Sequence, residues 1–304
     1  MSNVVILGNG FDLNLGLKTS YESFLKSGID ELRSNEILDF FEFMKHNLNV
    51  LKIKVESIPF DKNINWSNIE HNLALCSRYP NANIEDLKKA YDNLKKFLNH
   101  YIELEHKKLN PQFYPNSAAY NFAREVCTNP KEDLLVLTFN YTKTAKIIFN
   151  EVGFNRKNLN VQHIHGEVGE NGKNIVFGVN DSEDIKPEHK FLRKANYTDS
   201  SKLKYINYME NAKNIFFFGH SLGATDHSYF DSFFKHLSSQ NRNSARKNLV
   251  FFYFDQDSLF EIKHELNILT QSNLTKLLQY HEVKFVPMEE NKMYFIRDLI
   301  SSND

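Results

Sequence analysis

Cysteine is scarce: the 304 residues hold two, Cys76 and Cys127. Two thiols in no paired metal-ligand spacing cannot build a four-thiolate zinc site, so no metal is expected and both read as core thiols of a reducing cytoplasm. Long apolar runs are missing too. None approaches the ~20 residues that a membrane helix needs, and the first residues pass into Val4-Val5-Ile6-Leu7 without the basic start and cleavage site of a signal peptide. A cytoplasmic protein with no membrane partner is expected. Charge of one sign is also lacking. A net charge of −1 and a pI near 6.9 give no overall attraction to nucleic acid, so none is expected as the main partner. Repeats and low-complexity tracts are absent. With 41% hydrophobic and 25% charged residues the chain falls in the ordinary globular range. Its length suits one α/β domain over 1–304 with an insertion.

Short runs rich in Val, Ile, Leu and Phe end in Gly, Asn, Asp or His, as strands buried on both faces of a parallel sheet do. They occupy 4–7, 134–138, 161–164, 214–218, 249–254 and 283–286. Segments of helical spacing lie between most of them, such as Leu259, Ile262, Leu266 and Leu269. The alternation predicts a doubly wound, mainly parallel Rossmann-like sheet.

One connection breaks the rhythm. Between the first two strands, Leu87, Tyr91, Leu94, Leu98 and Tyr101 recur at helix spacing with Lys and Glu on the other face, which predicts a helical insertion over 30–125. Glu170-Asn171-Gly172-Lys173 has turn composition, and 161–179 is expected to close as a hairpin.

Polar chemistry gathers where strands end. The first runs into Gly8-Asn9-Gly10-Phe11-Asp12-Leu13-Asn14-Leu15-Gly16, a strand–glycine–helix junction whose backbone could approach a pyrophosphate. Its spacing is not the dehydrogenase G-x-G-x-x-G, so hydride transfer is not inferred, and a plain tight turn explains the loop equally well. The second strand ends in Thr138-Phe139-Asn140-Tyr141-Thr142, where Asn140 could bind ribose hydroxyls or a water, or simply cap a helix. The third carries His163-Ile164-His165-Gly166. Strand alternation puts both histidines on one face; His165 reads as a general base and His163 as structural.

These segments, in this order, resemble the sirtuin fold. The first loop is similar to GAGxSxxxGIP, with Asn9 in place of Ala, Asp12 of Ser and Lys18 of Pro. Thr138 to Thr142 resembles the sirtuin TQNxD, and His165-Gly166 resembles the HG that carries the sirtuin catalytic histidine. The particular variants resemble the AbiH abortive-infection, phage-defence family. They are GNGFD followed by Leu17-Lys18-Thr19-Ser20-Tyr21, TFNYT, HIHG, Phe177-Gly178-Val179-Asn180-Asp181, and Gly219-His220-Ser221-Leu222-Gly223 through Asp226. Trp66 and Glu70 resemble a family W-x3-E signature, which implies that Glu70 reaches the site; a surface glutamate on an amphipathic helix is the plain alternative.

The resemblance implies NAD or a related dinucleotide bound across the strand ends as substrate or ligand, with no cofactor required. Gly8, Asn9, Gly10 and Phe11 would hold the pyrophosphate, and His165, Asn140 and Asp12 would serve catalysis. Thr138, Tyr141, Gly166, Asn180, Asp181, Gly219, His220, Ser221, Asp226 and Asp255 would complete the binding surface. The four-cysteine zinc module of the deacetylases is absent, which points away from deacylation and toward NAD hydrolysis, as in sirtuin-like defence proteins. A phage trigger is implied but not named, and a homo-oligomer stays open.

Two other readings stay open. Gly219-His220-Ser221-Leu222-Gly223 satisfies the G-x-S-x-G elbow of α/β-hydrolases, and Ser221, Asp255 and His281 would supply a triad in that family's order. Alternatively the fold binds NAD or ADP-ribose as a sensor without turnover.

Overall fold

The computed structural model describes residues 3–20, 22–24, 70, 73–74, 77–78, 84–110, 114–153, 157–169, 174–181, 183–197, 204, 207–240, 245–289 and 293–301. The chain divides into two compact units. Residues 1–17, 106–167 and 199–304 form the first, and 18–105 with 168–198 the second. Trp66 and Cys76 lie outside the described residues.

The first unit is built on six strands: β1 (Asn3–Leu7), β2 (Leu134–Thr138), β3 (Leu159–His163), β4 (Asn214–Phe218), β5 (Asn248–Tyr253) and β6 (Glu282–Pro287). They form one sheet in the order β3-β2-β1-β4-β5-β6, and every pairing is parallel. Each predicted apolar run is one of these strands, within about two residues at either end. The central strands β1, β2 and β4 are buried throughout, which is why their sequences run apolar without alternation.

Alternate residues of each strand face opposite layers. Val4, Ile6, Leu135, Leu137, Ile215, Phe217, Leu249 and Phe251 share a core with helix residues Phe230, Phe234, Leu237, Ile262, Leu266 and Leu277. Val5, Leu7, Leu134, Val136, Phe216, Phe218, Val250 and Phe252 share the other with Phe11, Phe122, Phe149 and Ile296. The sheet is therefore covered on both faces, as a doubly wound fold requires. The covering helices are α1 (Asn9–Asn14), α3 (Ala118–Val126), α4 (Thr144–Val152), α5 (His227–Ser239), α6 (Gln256–Leu269), α7 (Leu274–Tyr280) and α8 (Phe295–Ser301). α2 (Ile84–Lys107) belongs mainly to the second unit.

The second unit follows the predicted helical spacing. Leu87, Tyr91, Leu94 and Leu98 of α2 are buried while Lys88, Lys89 and Lys96 are exposed. Tyr91 stacks on Phe177 with ring centroids 6.3 Å apart and donates its hydroxyl to the Phe177 carbonyl. The Lys95 ammonium sits 4.5 Å above the Tyr197 ring, a cation–π contact.

The expected hairpin over 161–179 is corrected. Among the described residues no strand follows β3 before β4, and Val179 makes only an isolated parallel bridge to Arg193. Gly166 and Gly169, at φ 78° and 133°, turn the chain out of the extended region right after β3.

Register sets the functional end. Leu7 pairs with Thr138 and Phe218, and Thr138 pairs with His163, so β1 to β4 finish level. After β3 the chain crosses back to the far side of β1 and begins β4 there, so the strand order reverses between β1 and β4. Open α/β sheets bind ligands at the carboxyl edge beside such a switch point.

Candidate active site

At the switch point two loops interlock. Gly10 N–H donates to the Gly219 carbonyl at 2.9 Å, Gly8 N–H to the Phe218 carbonyl at 3.1 Å, and Phe11 N–H to Gly8 O at 3.0 Å. A Cβ on Gly10 would lie 2.6 Å from the Gly219 Cα, and one on Gly8 2.5 Å from the Gly219 oxygen. Gly219 itself adopts φ 66°. Backbone-to-backbone packing thus accounts for these glycines, and the Gly10 amide is already committed. Asn9 is half-buried, and Phe11 is wholly buried, its ring near Phe149 and Phe218 in the core.

Asp12, in α1, is 1% exposed. Its Oδ2 accepts from Thr142 at 2.6 Å and its Oδ1 from the Thr144 hydroxyl, while the two threonine hydroxyls lie 2.8 Å apart. Burial lifts the Asp12 carboxyl to about 6 against the lowering effect of Thr142, Thr144 and Asn140. The three contacts share two hydroxyl protons when Asp12 is ionised and three protons when it is not, so the neutral acid completes the ring. Thr144 was not singled out in the sequence; the T-x-T spacing after β2 was its only trace.

Asn140 sits just past β2 and is 6% exposed. Its side-chain amide favours the charged form of Asp12, yet the amide nitrogen completes no hydrogen bond of good geometry. Thr138, fully buried, accepts from the Asn140 N–H at 3.2 Å. Past β3, His163 places its Nδ1 3.1 Å from the Asn140 carbonyl and its Nε2 3.5 Å from Glu167. Gly166 follows His165 and turns the chain away.

The centre of the site is a carboxylate between two imidazoles. Asp226 Oδ1 lies 3.2 Å from His165 Nε2, and Oδ2 lies 3.6 Å from His220 Nε2. Phe139 presents an edge-to-face ring to both histidines, with centroids 5.1 Å and 4.5 Å away, and Tyr229 and Tyr141 lie 5.7 Å and 6.3 Å from His165. Burial, with a further push from His165 against the pull of Asp226, drives His220 down to about 4, so it is neutral at pH 7. Phe139 and Tyr229 were not among the expected site residues. The aromatic at the strand end and the helix spacing from Asp226 to Tyr229 were the available signals.

The serine triad is corrected. Ser221 is exposed beyond the carboxyl end of β4, and a 3-10 turn, Ala224–Asp226, intervenes before α5, so the elbow's strand–turn–helix junction is not formed. His281 lies before β6 at the opposite edge, a separation of roughly 17 Å measured along the five residues of β4. There it is buried, accepts from Lys247 N–H at 3.3 Å and faces the Leu237 carbonyl at 3.2 Å. Asp255 is exposed and caps α6 in a capping box with Ser258, whose bonds hold its carboxyl below the usual range.

The second unit holds the remaining expected residues. The Asn180 and Asp181 carbonyls accept from Arg193 at 3.3 Å and 2.8 Å. Glu70 is not a surface residue: it is 4% exposed and pairs with Lys194 at 2.8 Å.

Among the described residues no cluster of three or more His, Cys, Asp or Glu is arranged for a metal ion, and no helix is long and apolar enough to cross a membrane. A family model described as Bacteriophage abortive infection AbiH matches residues 4–246. That span holds β1 to β4 and the whole Asn140–His165–His220–Asp226 group, and ends before β5. No curated protein matches the chain.

Proposed function

The chain belongs to the AbiH family, described by its role in bacteriophage abortive infection, and on that premise we propose that it binds NAD or a related dinucleotide and hydrolyses its nicotinamide N-glycosidic bond. One observation carries the reading. Asn140, His165 and the Asp226–His220 pair gather past β2, β3 and β4 at the carboxyl edge, beside the β1/β4 switch point. The Asn140 amide nitrogen, near Asp12 but without a hydrogen bond of good geometry, suits a site where a ligand's oxygen completes it.

The chemistry fits these groups. As the bond between the ribose and the nicotinamide ring nitrogen breaks, the electron pair leaves with nicotinamide and positive charge builds on the ribose. Water oxygen attacks the anomeric carbon, and its proton passes to His165 and then to solvent. The Asp226 carboxylate favours that imidazolium, and Asn140 orients a ribose hydroxyl or the water. With the Gly10 amide committed to Gly219, the glycines serve to join the two strand-end loops, and the ribose end of the ligand is where recognition is assigned. Asp12, spent on two threonines, holds the loop that carries Asn140.

Purified protein supplied with NAD is expected to release nicotinamide. His165→Ala and Asn140→Ala should each lower the rate by about a hundredfold or more with the fold intact. Full activity in both variants would overturn the assignment. Calorimetric binding of NAD or ADP-ribose with no product formed would turn the reading to a sensor.

A further inference from the structure

We propose that Asp226 and His220 are positioning residues for His165: the carboxylate holds a proton on His165 Nε2, and His220 holds the carboxylate. Their part in catalysis rests on the reading of His165 as the base given above, whereas the proton placement rests on the geometry of the cluster.

Asp226 is the N-cap residue of α5, where an aspartate ordinarily accepts a hydrogen bond from an amide in the first turn. It makes no such bond. Asp255, in the same position on α6, closes a full capping box. The Asp226 carboxylate is instead turned to two imidazoles, at ion-pair distances of 3.2 Å and 3.6 Å, at which neither contact is a formed hydrogen bond. A nitrogen lone pair facing a carboxylate at such distances is repelled, and a proton on each Nε2 converts both contacts into attractions.

The far side of His220 fixes its own proton independently. Its Nδ1 accepts the Leu222 N–H at 3.0 Å, so the hydrogen of the neutral ring is carried on Nε2, the nitrogen 3.6 Å from Asp226 Oδ2. Leu222 makes that bond from φ 58°, in the left-handed region that a leucine rarely enters. Its side chain is fully buried, which holds the conformation in place. Strained backbone kept by packing, a forgone helix cap and a neutral buried histidine all converge on one carboxylate oxygen pair. Phe139 and Tyr229 line the two imidazoles and keep water from screening the contacts. Asp226 thereby moves from a ligand-binding expectation to one that acts through His165.

The test combines imidazole nitrogen-15 NMR with steady-state kinetics on the full chain. At neutral pH without ligand, the His165 signal, assigned by its loss in His165→Gln, is expected to show the tautomer protonated on Nε2. In Asp226→Ala it should change to a mixture. His220→Gln, whose amide nitrogen can still donate to Asp226, should keep the wild-type signature, and His220→Leu should lose it. In turnover, Asp226→Ala should lower kcat at least tenfold with KM changed less than threefold. An Nδ1-protonated His165 in the wild type, or a signature indifferent to Asp226→Ala, overturns the proposal. So does a raised KM at unchanged kcat, which would mean that Asp226 touches the substrate. If the wild type releases no nicotinamide, the hydrolase reading falls and the tautomer spectra alone decide the proton placement.

Discussion

The two edges of one sheet carry similar residues and use them differently. At the amino edge the register aligns Asn3, Asn214 and Asn248. Asn248 donates to Asn214 at 2.6 Å, Asn214 to Asn3 at 2.8 Å, and Asn3 to Glu132. The buried Lys247 ammonium meets three backbone carbonyls, of Met209, Glu210 and Ala212, and His281 has a partner at each ring nitrogen. At the carboxyl edge, by contrast, a carboxylate forgoes its helix cap to face two histidines, and the Asn140 amide nitrogen stands without a good partner. Buried polar groups that satisfy one another hold a fold together; those left poised mark where something else is to bind.

That contrast is sharpest between two of the buried histidines, His281 and His165. His281→Ala should leave nicotinamide release unchanged in the folded protein while lowering stability by about 1–3 kcal/mol, because it strands an amide and a carbonyl. This is the inverse of the His165→Ala outcome, and a His281 variant that lost turnover at full stability would erase the distinction between the edges. Lys247→Met should cost more, about 3–4 kcal/mol in urea unfolding, since three carbonyls, two of them buried, lose their donor at once. A loss below about 1 kcal/mol would show that water replaces the ammonium there. Gly10→Ala forces a Cβ to 2.6 Å from the Gly219 Cα. It should destabilise by about 3 kcal/mol and drop nicotinamide release with it, because it separates the two strand-end loops. Stability within about 0.5 kcal/mol of wild type would show that the loops part without cost.

The same contrast separates what local sequence carries from what it does not. The four inner strands β1, β2, β4 and β5 were legible because each is mainly a run of Val, Ile, Leu or Phe buried on both faces, while the half-buried edge strands β3 and β6 showed only as shorter apolar stretches between polar residues. α2 was legible because Leu87, Tyr91, Leu94 and Leu98 recur at its period. Asn140 and His165 could be placed at strand ends for the same reason. Long-range partners were not legible. Nothing near Gly10 announces that Gly219 fills the space at its Cα, and nothing near Asp255 or Asp226 says which will cap its helix. Ser221, Asp255 and His281 matched a motif in order along the chain, but a parallel sheet puts the start and end of a strand at opposite edges, and His281 stands at a start. Glu70 stayed open between a site residue and a surface one because its partner, Lys194, is more than a hundred positions away.

A pH-dependent effect concerns Asp12, whose ring of contacts lies at the carboxyl edge yet is closed on itself. Its carboxyl is raised from 3.8 to about 6 by burial. The folded chain therefore keeps a proton there over a range in which the unfolded chain has released it. Stability from this group is present in full below about pH 4 and is lost as pH rises through 6, because the unfolded state binds fewer protons in that window. The shift of about 2 units corresponds to roughly 2–3 kcal/mol. Asp12→Asn, which does not titrate, should lack that decline, so the stability gap between variant and wild type should drift in the variant's favour from pH 4 to pH 7. Parallel urea-unfolding curves across that range, with a constant gap, would show that Asp12 is ionised throughout. The carboxyl edge would then hold a second poised carboxylate in addition to Asp226, and the line drawn between its closed and its open groups would have to move.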